Sequence, residues 1–202
     1  EFDPSTSIYT PKYYFGSSSI DGTYPTGALV LANNGKLYGM TSGGGVNDNG
    51  TIFEYDLATN TYTKKFDFSY NTSGRPVQNA LMQASNGKLY GMTSSGGSNG
   101  MGTLFEYDYQ TNTFTKQVDF TGTSNGSYPY GDLMQASNGK LYGVTSEGGA
   151  GLSGVLFEYE PSTNTFAKKL DFNALNGITG RYPNNSLIEV GNKLYGVTNA
   201  SG

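Results

Sequence analysis

Carboxylates, tyrosines, lysines and two arginines are the side chains through which this sequence could run acid–base, metal or stacking chemistry. It carries 16 Asp and Glu, 17 Tyr, and neither His nor Cys. That absence removes an imidazole base, a thiolate nucleophile, a Cys/His zinc site, a disulfide framework and a Ser-His-Asp triad from within the chain. A carboxylate pair remains open. Asp21 and Asp132 are the candidates for a polysaccharide-active pair, which would need a separation of about 5–9.5 Å. Asn47-Asp48-Asn49-Gly50 offers the oxygen ligands of a calcium loop but lacks the remaining spaced carboxylates of an EF-hand. No cofactor is expected beyond calcium at that segment. The Gly-rich segments lack the Lys-Ser/Thr ending and the following helix of a phosphate cradle.

Recurrence sorts these groups. Lys36-Leu37-Tyr38-Gly39-Met40-Thr41 returns as Lys88 to Thr93, as Lys140-Leu141-Tyr142-Gly143-Val144-Thr145 and as Lys193 to Thr198, in steps of 52, 52 and 53 residues. Phe53-Glu54-Tyr55-Asp56 returns at Phe105 and Phe157, and Glu1-Phe2-Asp3 matches its last three residues. Most acids fall at such positions, among them Glu1, Glu54, Glu106, Glu158, Asp67, Asp119 and Asp171. A residue needed in every unit builds the unit, so these acids and the recurring lysines read as cross-strand pairs rather than as a ring of cation ligands. Asp21, Asp48, Asp132, Glu147 and Glu189 do not recur. The Tyr38, Tyr90, Tyr142, Tyr195 set reads as core with a bonded hydroxyl, and the Gly39 set as a point of close approach or a bulge.

The elements that position these residues follow from the same unit. Ala80–Ala84 reads as a strand, Asn86-Gly87 as a two-residue hairpin turn, Lys88–Thr93 as a second strand, Thr103–Asp108 as a third and Thr113–Phe120 as a fourth. Tyr, Phe, Thr, Val and Leu fill them, as a half-buried pleated surface prefers. The spacing predicts an all-β chain, a β-propeller of four roughly 52-residue, four-stranded blades stacked face to face. The whole of 1–202 reads as one domain, with blade units at about 22–68, 74–120, 126–172 and 180–202, the last completed by 1–15. Closure by the N- and C-terminal strands is one expectation. The others are half of a larger ring shared with a second copy, or a fragment of a longer array.

Asn86-Gly87-Lys88-Leu89-Tyr90-Gly91-Met92-Thr93-Ser94-Ser95-Gly96-Gly97-Ser98-Asn99-Gly100-Met101-Gly102-Thr103-Leu104-Phe105 resembles the GloVer (Gloeobacter/Verrucomicrobia-type) tandem repeat of secreted bacterial proteins, often joined to cell-surface sorting domains. Tyr107-Asp108, followed by Thr111-Asn112-Thr113-Phe114, is similar to kelch repeats, with Tyr9, Tyr62, Phe114 and Phe166 where kelch has Trp. The resemblance covers essentially the whole chain. It implies a propeller scaffold in a secreted or surface-attached bacterial protein and specifies no activity.

In an antiparallel blade the connections from strand two to three and from strand four to the next blade emerge on one rim. Length, variation and unpaired charge concentrate there, as does binding on rigid scaffolds. Tyr24-Pro25, Tyr128-Pro129-Tyr130 and Tyr182-Pro183 precede three first strands, and Arg75-Pro76 is read in the same place in the other. The candidate ligand-binding residues are therefore Tyr24, Arg75, Tyr128, Tyr130, Asp132, Arg181 and Tyr182. Tyr can stack on a sugar ring and Arg can grip a carboxylate. The expected function is non-catalytic recognition of a glycan or an extracellular protein, adhesion included, with a structural spacer as the alternative. A net charge of −4 argues against nucleic acid. No apolar run approaches the roughly 20 residues of a membrane span, so no membrane insertion is expected. Aromatics at 14% argue against disorder. No charged-then-apolar leader opens the sequence, so a secretion signal is expected to have been removed or to lie outside it.

Overall fold

A computed structural model describes residues 1–18, 20–173 and 180–200. The described residues form strands and turns without a helix. After a short pair, β1 (Phe2–Asp3) and β2 (Ile8–Tyr9), come three four-stranded sheets. The first holds β3 (Gly22–Leu31), β4 (Leu37–Gly44), β5 (Thr51–Asp56) and β6 (Thr61–Asp67). The second holds β7 (Met82–Gln83), β8 (Leu89–Thr93), β9 (Thr103–Asp108) and β10 (Thr113–Asp119). The third holds β11 (Met134–Gln135), β12 (Leu141–Thr145), β13 (Leu152–Glu160) and β14 (Thr165–Asn173). A final pair, β15 (Ile188–Val190) and β16 (Lys193–Tyr195), ends the described chain. Each four-stranded sheet is a sequential antiparallel meander, and we call these sheets blades 1, 2 and 3.

Tight turns join the strands where the sequence places them. Asn60, Asn112 and Asn164 take φ near +54° between the third and fourth strands, a left-handed conformation that Asn tolerates. Their amide oxygens accept from the hydroxyls of Tyr55, Tyr107 and Tyr159 at 3.1, 2.6 and 2.9 Å. The carboxylates of Asp56 and Asp108 accept the backbone N–H groups of the same turns.

The cores lie between blades. Ala32, Tyr38, Met40 and Phe68 of blade 1 close over Leu81, Leu89, Phe105 and Tyr107 of blade 2. Ala84, Tyr90, Met92 and Phe120 of blade 2 close likewise over Leu133, Leu141, Phe157 and Tyr159 of blade 3. A sheet with two apolar faces is thus buried by its neighbours, as stacking requires. Gly91 is one point where the packing admits no side chain: a Cβ there would lie 2.6 Å from the Phe105 ring and 2.9 Å from Leu81.

The first strands of blades 2 and 3 are shorter than expected, whereas that of blade 1 runs through Tyr24-Pro25 as β3 (Gly22–Leu31). Ala80–Ala84 contributes only Met82–Gln83 to the ladder, because neighbouring backbone and side-chain groups bond to the next blade. The Ala80 N–H donates to Asp132 Oδ1 at 2.6 Å, and the buried Asn79 amide donates to the Pro129 and Gly131 carbonyls at 2.9 and 3.0 Å. Asn79 Oδ1 also accepts from Ser94 Oγ. Asn79→Ala strands these buried groups and is expected to cost roughly 1–3 kcal/mol, read as a lower denaturant midpoint at unchanged slope.

The expectation of one closed four-bladed ring is not met. β1–β2 and β15–β16 remain separate two-stranded sheets. Each pair packs on the blade next to it in sequence. Just after β2, Tyr13 stacks on Tyr62 of blade 1 and Phe15 meets Phe53 edge-on. The final pair packs behind blade 3, where Ser137 N donates to Glu189 at 2.7 Å. Three complete blades therefore lie between the half-blades. Residues 201–202, with which the sequence reading ends its last unit, lie outside the described residues.

Candidate functional site

The meander directs both kinds of long connection to one rim, and hydrogen bonds lock them together there. Gly45, Gly97 and Gly149, in the second-to-third-strand loops, donate their N–H to the carbonyls of Asp21, Tyr70 and Gly122, in the segments that lead into first strands. The next residue of each loop, Val46, Ser98 or Ala150, donates to Asp67, Asp119 or Asp171 on the fourth strand at 2.8–2.9 Å. Lys64, Lys116 and Lys168 neutralise those carboxylates across i,i+3. The rim is therefore a fixed layer rather than a set of free loops.

A second network holds the opposite side of each blade. Glu54 accepts from Tyr38 Oη and from Lys36 Nζ, the latter at 2.9 Å. Glu106 does the same with Tyr90 and Lys88, and Glu158 with Tyr142 and Lys140 at 2.7 and 2.8 Å. Asn34, Asn86 and Asn138 donate to the tyrosine oxygens. At Glu158 the hydrogen bonds from Lys140 and Tyr142 outweigh burial and hold the carboxyl below its usual range. Burial would raise Glu54, but bonds from Tyr38 and Lys36 reverse the sign. Burial, then the bonded carboxylate, raises Tyr38 and Tyr90. These recurring acids are fully engaged in building blades.

On the rim, Tyr24, Tyr128 and Tyr182 share φ values of +54°, +56° and +54° immediately before proline, a strained conformation for a bulky residue. Tyr24 is 75% exposed, Tyr182 40% and Tyr130 38%; Tyr128 is half-buried. Ser42 joins two of the candidates: its hydroxyl donates to the Tyr24 carbonyl at 3.3 Å, and its own carbonyl accepts from Arg75 Nε at 2.8 Å. In blade 3, Ser146 Oγ repeats the first contact on the Tyr128 carbonyl at 3.0 Å. Arg181 is half-buried with its Nε unpartnered, and its guanidinium lies 5.9 Å from the Tyr182 ring.

Two readings change. Arg75 does not occupy the tyrosine place. Arg75, Ser127 and Arg181 bridge Ser95, Glu147 and Ala200, while Thr23 pairs with Gly43, so the arginines align with Thr23 and Ser127, and Pro76 stands where the tyrosines do. Asp132 faces a junction between blades rather than the open rim, its oxygens taken by the Ala80 N–H and by Ser186 Oγ at 2.6 and 3.2 Å. Asp21, its proposed catalytic companion, accepts from Tyr13 Oη, Ser17 Oγ and Ser18 N; these bonds outweigh burial and lower its pKa. Tyr13 is pushed up to about 12 by burial and by Asp21. Asp48 Oδ1 accepts the Gly44 N–H, and the Asn47 amide donates to the Phe68 carbonyl. Among the described residues no three Asp or Glu converge as a cation site would need. Ser42 and Ser146 were missed by sequence reasoning, although both follow the recurring Thr of strand two; their link to the rim runs through backbone atoms that composition does not reveal.

A cavity of about 590 Å³ lies elsewhere, at the N-terminal end of the stack, between β1–β2 with the segment that follows and the outer face of blade 1. Leu29, Leu37, Phe53, Tyr55 and Tyr62 line one side of it and Phe15 the other.

Comparison with known proteins gives the chain its family. The whole of residues 1–202 matches the Gloeobacter/Verrucomicrobia repeat. No curated protein matches the sequence. Among solved structures it is similar to TolB from Acinetobacter baumannii (TM-score 0.50, 16% identity, 91% of this chain and 40% of that one). It is also similar to the extracellular domain of the one-component system BT4673 from B. thetaiotaomicron (TM-score 0.57, 13% identity, 86% and 20%). The chain thus spans less than half the length of either. At such identities the likeness carries the fold alone, which is β-propeller-like. The described residues contain no helix long and apolar enough to cross a membrane. The chain belongs to the Gloeobacter/Verrucomicrobia repeat family.

Proposed function

From that membership we propose that the chain is a non-catalytic recognition module of a secreted or surface-attached bacterial protein, and that its long-loop rim binds glycan. The observation that carries this reading is the Tyr24–Ser42–Arg75 arrangement, which holds an exposed aromatic ring and a guanidinium on one interlocked surface. An exposed Tyr face suits a sugar ring, and Arg suits the carboxylate of an acidic sugar. Repeated positive φ at Tyr24, Tyr128 and Tyr182 favours the reading, since strain of this kind gathers at binding surfaces. The engagement of Asp21 and Asp132 by separate donors favours binding over hydrolysis.

A glycan array tests it. The wild-type chain is expected to retain acidic oligosaccharides, and Tyr24→Ala with Arg75→Ala to weaken that retention at least tenfold, as loss of an anchor of about 1.4 kcal/mol or more would. An array without a binder favours the spacer reading, and binding unchanged in the double variant rejects the residues.

A further inference from the structure

The junctions along the stack are of two kinds, and they alternate. Blades 1 and 3 carry Gly27 and Gly131 where blade 2 and the segment leading into β15 carry Asn79 and Asn185. A Cβ on Gly27 would lie 2.4 Å from the Asn79 carbonyl oxygen, and one on Gly131 2.6 Å from that of Asn185. The two junctions that run from a glycine unit to an asparagine unit are thus built alike. The junction from blade 2 to blade 3 differs. There the buried Asn79 amide ties the blades together, donating to the Pro129 and Gly131 carbonyls at 2.9 and 3.0 Å.

Above each of the two like junctions the rim repeats one set of parts. Tyr24 and Tyr128 stand before proline at φ of +54° and +56°, the first exposed and the second half-buried. Ser42 and Ser146 donate their hydroxyls to the carbonyls of those tyrosines at 3.3 and 3.0 Å. An arginine then enters from the next unit at the same backbone position: Arg75 bridges Ser95, and Arg181 bridges Ala200. Arg75 Nε donates to the Ser42 carbonyl at 2.8 Å, whereas Arg181 Nε has no partner among the described residues. Lys36, Lys88 and Lys140 are paired with carboxylates at 2.5–2.9 Å, but among the described residues neither guanidinium forms an ion pair.

The junction between blades 2 and 3 lacks every one of these parts. Buried Pro76 stands in the tyrosine place. Ser94, the counterpart of Ser42 and Ser146, is 1% exposed and donates inward to Asn79 Oδ1 at 2.6 Å. Ser127, 4% exposed, stands where the other two junctions have arginine. A device that only held blades together would be needed at every junction. Ring, hydroxyl and guanidinium instead appear and disappear as a set, which is how the parts of a site behave.

Resting on the glycan-binding reading of this rim, we propose that it carries two equivalent sites, Tyr24–Ser42–Arg75 and Tyr128–Ser146–Arg181, and that their ligand is an acidic polysaccharide whose repeating carboxylated sugars fill both at once. Each arginine grips a carboxylate through its planar fork, and each tyrosine offers a ring face to the adjoining sugar. Tyr182, with the Arg181 guanidinium 5.9 Å from its ring, adds a second aromatic face to the latter site. The loops of the rim are bonded to one another, so the spacing of the two sites is fixed. A chain that fills the first site therefore presents its next carboxylates to the second at high effective concentration.

Amide NMR of the full chain, titrated with digalacturonate, reads the two sites separately. The resonances of Ser42 and Ser146 are expected to move over the same range of concentration, while those of Ser94 and Ser127 stay. Arg75→Ala should weaken the response at Ser42 at least tenfold and spare Ser146, and Arg181→Ala should do the reverse. Unchanged resonances in the other blade cores show that both variants fold. Calorimetry then compares probe lengths: a decagalacturonate should bind wild type at least tenfold tighter than digalacturonate does, and either single variant should lose that gain. A response at one site only overturns the pairing and leaves glycan recognition standing at that site. Movement of Ser94 and Ser127 as large as that of Ser42 overturns the alternation. A decamer that binds no tighter than the dimer overturns the bridging. No response at either site overturns the glycan reading itself, and the paired sites with it.

Discussion

Replacing Phe105 by alanine is expected to destabilise the protein by about 3–5 kcal/mol, the cost of deleting a fully buried aromatic ring from a core that cannot collapse around the gap. Phe105 sits in the junction between blades 1 and 2, stacked on Phe114 at 4.9 Å and edge-on to Phe68 at 5.5 Å, over the bare backbone of Gly91. A domain is typically stable by about 5–15 kcal/mol, so the variant is expected to approach the threshold of folding. Phe53 holds the equivalent place one blade earlier but borders the N-terminal cavity. Phe53→Ala is therefore expected to cost less. Urea unfolding of the two variants side by side checks both the magnitude and the order; equal losses would mean that the two junctions are equally filled.

The second large effect comes from the carboxylates that recur in every blade. Glu106→Ala leaves the buried Tyr90 hydroxyl without its acceptor and Lys88 without its counter-charge, at an expected cost of roughly 1–3 kcal/mol. Glu106→Gln keeps an acceptor and should cost less. The same chemistry sets the response to pH. The carboxyls of Glu54 and Glu158 are held below their usual range in the folded chain. Each contributes stability that is present above the unfolded value of about 4.3 and is lost as pH falls through the lower folded value. Tyr38 and Tyr90 are raised in the folded chain. Their contribution is present below the unfolded value of about 10 and is lost as pH rises through the folded one. A denaturation midpoint that is flat between those limits and falls on both sides is expected, and a midpoint that rises on acidification would contradict the networks.

The repeat itself was legible because each blade needs the same few solutions: Asn-Gly at one turn, Asn in a left-handed conformation at the next, and glycine beneath a phenylalanine. Tyr38, Tyr90 and Tyr142 were legible as core, whereas Tyr195 of the same set is 51% exposed; the union of Tyr38 with Lys36, Glu54 and Asn34 in one network needed the strand register. Arg75 was misplaced by one position because the neighbouring Arg-Pro looks like Tyr-Pro in the sequence; only the bridges of Arg75 to Ser95 and of Arg181 to Ala200 fix the alignment. Asp132 looked like a free carboxylate because its partners, the Ala80 amide and Ser186, lie 52 and 54 residues away. The matching of the two ends could be read from spacing. Whether they meet within one chain could not, since that depends on the angle between blades, which no residue pattern encodes.

Hydrogen exchange on the dilute chain tests most directly whether the stack ends in half-blades. Amides of β8 and β9, buried in the middle blade, are expected to exchange slowest, and those of β1, β2, β15 and β16 fastest. End strands as protected as β8 and β9 at high dilution would show a blade closed within one chain, and would contradict the open stack.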